Sequence, residues 1–228
     1  MSNGPRITVL LAEDHLIVRE GLRRLLAVED DIVVVGETNS GHDTVRQTLS
    51  LKPDVVVMDI AMPELNGLEA TRQILKAAPE TKILILSAHG DDGYVERVME
   101  LGAAGYLIKQ SSVNTLTHAI RDVWKGKQVF SPTIAKRFKK RHVQALGRKG
   151  TAKQSKTSLT SREMEVLQQI SEGAANKQIA ANLNISIKTV EKHRDHLMQK
   201  LDIHDTAGLT RYAIQSGVIE SSVQKTIQ

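Results

Sequence analysis

Short apolar runs rich in Val, Ile and Leu alternate with stretches of helical spacing along the first half of the chain. Such alternation predicts a parallel β-sheet that is covered by helices on both faces. Right-handed crossover connections then favour a flavodoxin-like strand order. The predicted strands are 7–11, 32–36, 55–59, 82–87 and 105–109, and the predicted helices are 16–26, 40–51, 65–78, 91–101 and 113–125.

The first of these helices has an apolar stripe and a charged stripe. Its spacing predicts that the apolar side chains face inward and that Arg19, Glu20, Arg23 and Arg24 face outward. The predicted inward residues are Leu16, Val18, Leu22, Leu25 and Leu26.

The third strand is a continuous apolar run, Val55 to Met58, which predicts burial on both faces. It ends at Asp59, and Pro63 then favours a turn. Open α/β sheets bind ligands at the carboxyl-terminal ends of their strands. The sequence therefore places Asp59 where a functional site is expected.

Other polar residues follow the neighbouring strands and are expected at the same edge of the sheet. Glu13 and Asp14 follow the first strand, Ser87 ends the fourth, and Lys109 ends the fifth. Clustered carboxylates without His or Cys ligands favour Mg²⁺. Asp59 is then a candidate nucleophile toward phosphorus, and Lys109 and the metal would neutralise the transferred oxygens. The alternative is that these are ordinary polar strand ends, with Glu13 and Asp14 capping the first helix.

Composition and charge divide the chain into three regions. The net charge is −5 over residues 1–126, +10 over 127–158 and zero over 159–228. We predict an α/β domain at 5–126, a basic linker at 127–158 and a second domain at 159–220. The chain has no cysteine and no apolar run long enough to cross a bilayer, so a cytoplasmic protein without a membrane partner is expected.

The linker permits more than one interpretation. Its first half, from Ser131 to about Ala145, is predicted to be helical. The basic run 136–141 predicts either additional DNA phosphate contacts, an inert solvated linker, or docking onto the acidic first domain.

The second domain is predicted to contain four short helices. Thr160 and Glu163 form a capping-box pattern, Asn176 and Ser186 are predicted helix caps, and a fourth helix is expected from 206 to 216. Ile187 is predicted on the apolar face of the third helix. Two short helices joined by a tight turn indicate a helix-turn-helix, although a generic four-helix packing module has the same periodicity.

Four motifs of the first domain resemble the receiver domain of two-component response regulators: 10–15 (LLAEDH), 57–67 (VMDIAMPELNG), 85–88 (ILSA) and 105–109 (GYLIK). The resemblance implies phosphorylation of Asp59 by a sensor histidine kinase. It also implies that Mg²⁺ is bound by Asp14, Asp59 and the main-chain carbonyl of Ala61, with Glu13 acting through water. Ser87 and Lys109 would contact the phosphoryl group. Tyr106 would be a switch that turns inward on activation, unless its ring only covers the sheet edge.

The second domain resembles LuxR-type DNA-binding domains in 159–167 (LTSREMEVL), Gly173, 176–180 (NKQIA), 186–193 (SIKTVEKH) and 200–201 (KL). The resemblance implies base or groove contacts by Lys188 and Lys192. It implies phosphate contacts by Thr189, His193, Lys177 and Lys200. Glu191 and Arg194 are expected to help set specificity, or to serve as an intrahelical partner and a packed stem, respectively.

Together the two halves resemble a NarL/FixJ-type response regulator. This implies a phosphorylation-dependent transcription factor that binds double-stranded promoter DNA as a homodimer, with RNA polymerase as a further partner. We expect no enzymatic turnover beyond autophosphorylation and slow self-dephosphorylation. The alternatives are a phosphatase or phosphotransferase that turns over through Asp59, and a DNA-binding or scaffold protein with an inactive receiver.

Overall fold

The computed structural model describes residues 6–88, 92–110, 112–130 and 159–219. These residues form two compact units, 6–130 and 159–219. The helix predicted from Ser131 to Ala145 and the basic run 136–141 lie outside the described residues. Within the described ranges, no helix is both long enough and apolar enough to cross a membrane.

The first unit is a five-stranded parallel sheet with five helices, and the strand order is β2-β1-β3-β4-β5. This confirms the predicted flavodoxin-like fold. Most strands and helices begin or end within one or two residues of their predicted bounds. The elements are β1 (Ile7–Ala12), α1 (Leu16–Leu26), β2 (Ile32–Thr38), α2 (Gly41–Leu51), β3 (Val55–Met58), α3 (Gly67–Ala77), β4 (Lys82–Ser87), α4 (Asp92–Glu100), β5 (Gly105–Ile108) and α5 (Val113–Trp124).

Strand β3 lies in the middle of the sheet and supplies both of its cores. Val56 and Met58 pack into the core on one face, whereas Val55 and Val57 pack into the core on the other. All four residues are buried. Because the strand is held from both sides, the residue that follows it, Asp59, has a fixed position.

Two glycines allow the loop after β3 to pack tightly. A Cβ added to Gly67 would lie 2.1 Å from the carbonyl oxygen of Asp59, and one added to Gly41 would lie 2.0 Å from that of Leu65. The amide of Gly67 donates a hydrogen bond to the carbonyl oxygen of Ile60 at 2.9 Å. The loop therefore folds back on the end of β3, and any side chain at Gly67 would displace it.

The predicted orientation of α1 is wrong at its amino-terminal end. Leu16 is 58% exposed and Val18 is also exposed, whereas Leu26 is buried. The side chain of Arg19, which was predicted to face outward, is only 15% exposed. Its Nη1 donates to the carbonyl oxygen of Glu13 at 2.6 Å, and its Nε lies 3.6 Å from a Glu37 carboxylate oxygen. These polar contacts fix the face of α1 that meets the sheet's edge.

The second unit contains the four predicted helices, α6 (Ser161–Ser171), α7 (Asn176–Asn182), α8 (Ile187–Leu201) and α9 (Thr206–Gln215). Their core includes Leu167, Ile179, Val190, Leu197 and Leu209. Ser186 caps α8 by accepting a hydrogen bond from the amide of Thr189 at 3.1 Å, as predicted.

Two expectations for this unit are wrong. Asn176 is the first residue of α7 and not its cap, because the helix is preceded by Ala175, whose amide donates to Gln178 Oε1 at 2.8 Å. Ile187 is 45% exposed and does not join the buried stripe, because it lies in the first turn of α8, outside the core.

Glu163 links the first turn of α6 to the last turn of α8. It completes the capping box of α6 with Thr160, whose amide donates to Glu163 Oε2 at 2.8 Å. Lys200, in the last turn of α8, donates to the same oxygen at 2.6 Å. Burial alone would raise the pKa of Glu163, but the hydrogen bonds from Lys200 and Thr160 outweigh it and lower the pKa below its usual value of 4.5.

We predict that Gly67→Ala lowers the free energy of unfolding by roughly 1–3 kcal/mol, because the added methyl group overlaps the backbone of Asp59. Urea unfolding followed by the fluorescence of Trp124, the single tryptophan, measures this. Gly21→Ala is the matched control: an added Cβ there meets nothing within 4 Å, and removing a glycine from the middle of α1 should stabilise by roughly 0.5–1 kcal/mol. Equal stability of Gly67→Ala and the unchanged protein would contradict the close approach.

We predict that Glu163→Gln destabilises the second unit by roughly 1–2 kcal/mol at pH 7, because a charge-assisted hydrogen bond to Lys200 is lost. The folded-state pKa of Glu163 is depressed, so its contribution is present above pH 4.5 and disappears as the pH falls through the folded-state pKa. Hydrogen exchange of the α6 amides, compared between both proteins at each pH, measures the difference. The exposed Glu191→Gln should show no such difference, and a gap for Glu163→Gln that persists in acid would argue against the pair.

Candidate functional site

The carboxyl-terminal edge of the sheet, called the rim here, brings together residues from three strands. Glu13 follows β1, Asp59 follows β3 and Lys109 follows β5. The Nζ of Lys109 lies 2.8 Å from Asp59 Oδ2 and 2.8 Å from Glu13 Oε2. Residues far apart in sequence thus meet through one ammonium group, as parallel strands with aligned carboxyl ends allow.

Asp59 is only 2% exposed, and both of its carboxylate oxygens are hydrogen-bonded. Oδ1 accepts from the amide of Ile60 at 2.8 Å, and Oδ2 accepts from Lys109. The amide of Asp59 donates to the carbonyl oxygen of Ala12 at 2.8 Å. The carboxylate is therefore held in one orientation at the rim.

Three carboxylates at the rim form an acidic cluster: Glu13, Asp14 and Asp59. One ligand atom from each, together with a ring nitrogen of His15, lie within 4.8 Å of one another. Glu13 and Asp59 are buried, whereas Asp14 is half-buried and His15 is exposed. Oxygen donors at this spacing, open to solvent on one side, fit a divalent cation that keeps some of its water.

The buried charges of the rim influence one another. Burial raises the pKa of the Glu13 carboxyl above its usual value, the hydrogen bond from Lys109 offsets part of this rise, and the charge of Asp59 adds to it. Burial by itself would lower the pKa of Lys109, but its hydrogen bonds to Asp59 and Glu13 dominate and raise the pKa. Lys109 is therefore held as a cation between two acids.

Arg19 supports the β1–α1 loop that carries Glu13 and Asp14. Its guanidinium donates to the backbone of Glu13 and lies near Glu37 at the end of β2. The helical spacing gave no sign of this role because it placed Arg19 on the outer face. His15 was not predicted as a site residue either, although its position directly after Glu13 and Asp14 could have indicated that it lies near their carboxylates.

Of three further residues predicted for the site, Ser87 and Ala61 lie at the same rim and Tyr106 lies within β5. Ser87 is fully buried at the end of β4, and its carbonyl oxygen accepts from the amide of Lys109 at 2.8 Å. Ala61 lies half-buried in the loop after Asp59. The ring of Tyr106, on β5 opposite Ile85 of β4, is buried in one of the two sheet cores. The ring therefore occupies an inward position in this conformation.

In the second unit, the amino-terminal half of α8 presents an exposed polar face. Lys188, Glu191 and Lys192 are exposed, and Lys177 at the start of α7 is exposed as well. Thr189 is half-buried, and its hydroxyl lies 2.8 Å from that of Ser186. An exposed polar helix face of this kind can enter the major groove of double-stranded DNA, which is wide enough for an α-helix.

Other predicted DNA-contacting residues are engaged inside the unit. The Nη1 of Arg194 donates to Asn176 Oδ1 at 2.8 Å, which ties α8 to the start of α7. The ammonium group of Lys200 is paired with Glu163. His193 is half-buried, and burial together with the nearby Arg162 lowers the pKa of its imidazole below the usual value. Arg194 and Lys200 thus join helices to one another, in contrast to Lys188 and Lys192.

Two family models match the chain, one in each unit. The response regulator receiver domain matches residues 9–121, and the family described as bacterial regulatory proteins, luxR family, matches residues 157–213. The first match contains the whole acidic cluster and Lys109. The second contains all of α6, α7 and α8.

Similar proteins match nearly the full length of the chain, so that each match spans both units. The transcriptional regulatory protein DegU of Brevibacillus brevis is 33% identical over 96% of this chain and 97% of its own length. The response regulator protein VraR of Staphylococcus aureus is 36% identical over 94% of this chain and 99% of its own length.

A solved structure supports the same relationship. RcsB of Salmonella enterica serovar Typhimurium, bound to the promoter rprA with the phosphomimetic BeF₃⁻, is 25% identical with a TM-score of 0.55, covering 91% of this chain and 98% of its own. RcsB has also been solved as two dimers bound to two parallel DNAs. On the two family matches and the full-length relatives, this chain belongs to the response regulators that join a receiver domain to a LuxR-type DNA-binding domain and act as transcriptional regulators.

Proposed function

We propose that the chain is switched by phosphorylation of Asp59 and that it then binds promoter DNA through α8. The observation that carries this proposal is the hydrogen-bonded position of Asp59 beside Lys109 and the acidic cluster. We assign the receiver to 5–126, the basic linker to 127–158 and the DNA-binding domain to 159–220.

The phosphoryl donor is a sensor histidine kinase, the partner that a receiver domain implies. A carboxylate oxygen of Asp59 attacks phosphorus, the bond to the donor breaks, and an acyl phosphate forms on Asp59. Lys109 moves from the Asp59 carboxylate to the new phosphoryl oxygens, where its positive charge offsets the added negative charge. We expect slow hydrolysis of this acyl phosphate and no other turnover.

The cation is Mg²⁺, whose preference for a few carboxylates, a carbonyl and water matches the donors at the rim. Asp14, Asp59 and the main-chain carbonyl of Ala61 would hold it, and Glu13 would act through water. Bound there, it supplies positive charge for the transferred phosphoryl group. Burial, together with the charge of Asp59, raises the pKa of Glu13, and the positive charge of a bound cation would favour its ionised form.

The switch follows from the phosphoryl group's need for hydrogen bonds. The hydroxyl of Ser87 turns toward it, and the space left beside β4 stabilises the inward position of Tyr106, which lies opposite Ile85, two residues before Ser87 on β4. This population shift favours a homodimer that binds paired half-sites. The dimers of RcsB on DNA support this arrangement.

At the DNA, Lys188 and Lys192 are the base or groove contacts, with Glu191 beside them. Thr189, His193 and Lys177 contact phosphates at the edge of the same face. Arg194 and Lys200 act mainly through Asn176 and Glu163, which hold α8 in place. RNA polymerase is the further partner of a regulator that acts at promoters, and the cytoplasm is the compartment in which it would meet both.

We predict that Asp59→Asn abolishes the single phosphoryl adduct formed with acetyl phosphate and Mg²⁺, because an amide is a poor nucleophile toward phosphorus. Intact-mass spectrometry measures the adduct. The exposed Asp30→Asn is the matched control and should be labelled like the unchanged protein. An adduct that persists on Asp59→Asn would refute the assignment.

We predict that Lys188→Ala and Lys192→Ala each weaken specific promoter binding by roughly 1–3 kcal/mol if they contact bases. Fluorescence anisotropy with promoter and scrambled duplexes at several salt concentrations separates base contacts, which change specificity, from phosphate contacts, which change the salt slope. Lys125→Ala, an exposed lysine of the receiver, is the charge-matched control. Unchanged affinity in both variants would remove α8 from the interface.

A further inference from the structure

We propose that His15 is a nitrogen donor of the cation site and that it shifts the preference of this site from Mg²⁺ toward Mn²⁺. The proposal rests on the cation site of the proposed function and concerns the identity of its donors. It starts from the position of the imidazole, whose Nδ1 lies 2.8 Å from Asp14 Oδ1 and 3.2 Å from Glu13 Oε1.

These distances, which are also those of hydrogen bonds from the imidazole to the carboxylates, are compatible with the edges of a coordination octahedron. With donors at about 2.1 Å from the ion, neighbouring donors are separated by about 3.0 Å. The two measured separations fall on either side of this value. The ring nitrogen, both of these carboxylates and Asp59 also lie within 4.8 Å of one another, a spacing that one ion can bridge with small side-chain rotations.

The backbone explains why the imidazole faces the carboxylates. His15 is the residue before α1, yet its side chain makes no capping hydrogen bond to the helix. Its amide instead donates to Glu13 Oε1 at 3.2 Å, so that the β1–α1 loop curls around that carboxylate. Arg19 holds the same loop through the carbonyl oxygen of Glu13. The ring is thus directed to the acidic cluster and is exposed enough to receive an ion from solution.

A nitrogen donor changes which ions the site prefers. Carboxylates and carbonyls alone suit Mg²⁺, whereas imidazole adds affinity for first-row transition ions and little for Mg²⁺. His15 therefore acts as a specificity-determining donor. The Mn²⁺-to-Mg²⁺ affinity ratio should depend on this one side chain, while both ions still require Asp14.

Pulsed electron paramagnetic resonance of Mn²⁺ bound to the full-length protein tests the proposal directly. A coordinated imidazole produces ¹⁴N couplings, which we expect in the unchanged protein and in His118→Gln, an exposed histidine outside the cluster. In His15→Gln we expect these couplings to vanish. We expect Mn²⁺ affinity to fall by about tenfold and Mg²⁺ affinity by less than about twofold.

The proposal is overturned if bound Mn²⁺ shows no ¹⁴N coupling, if the coupling survives in His15→Gln, or if that variant loses affinity for both ions equally. Asp14→Asn separates this failure from failure of the proposed cation site. If Asp14→Asn abolishes Mn²⁺ binding while the coupling is absent, the site stands and only the His15 donor is refuted. If Mn²⁺ binds equally well to Asp14→Asn, the ion lies elsewhere and both proposals fail.

Discussion

The ammonium group of Lys109, set between the carboxylates of Asp59 and Glu13, is the interaction on which the rim depends. Without a positively charged partner, the buried carboxylates of Asp59 and Glu13 would repel each other, and nothing would replace the hydration that each loses on burial. Lys109 satisfies both at 2.8 Å, and each carboxylate in turn keeps the lysine charged. A phosphoryl group or a divalent cation that enters this site therefore rearranges existing charge pairs. Because the paired residues follow β1, β3 and β5, a chemical change at Asp59 alters contacts at the ends of three strands.

Rigidity on one side of this site and adjustability on the other follow from the fold. Asp59 is fixed by the doubly buried strand β3 and by the close approach of Gly67 to its backbone. The β1–α1 loop, which carries Asp14 and His15, is held by polar contacts, among them the hydrogen bond from Arg19 to the carbonyl oxygen of Glu13. Polar contacts of this kind exchange with water more readily than packed side chains do. The acceptor thus stays in place while its neighbours can adapt to different occupants.

The fold was predictable wherever a sequence pattern is compatible with one structure only. This holds for β3, whose residues are apolar on both faces, for the strand order and for the Thr160–Glu163 capping box. The orientation of α1 was not predictable, because helical periodicity assumes that apolar faces turn inward. At the rim the carbonyl oxygen of Glu13 and the carboxylate of Glu37 give Arg19 polar partners on the inner side of α1. The contact with Glu37, 18 residues away, is one that helical periodicity does not contain.

Contacts between distant residues also explain how a domain without net charge can bind DNA. Overall charge counts every cation equally, yet in the second unit Lys200 is neutralised by Glu163, and Arg162 by Glu165. These pairs hold the helices together and contribute little field outside the domain. Lys188 and Lys192 remain exposed at the amino-terminal half of α8, where the helix dipole is also positive. The local field at that end, and not the sum over the domain, determines what this face attracts.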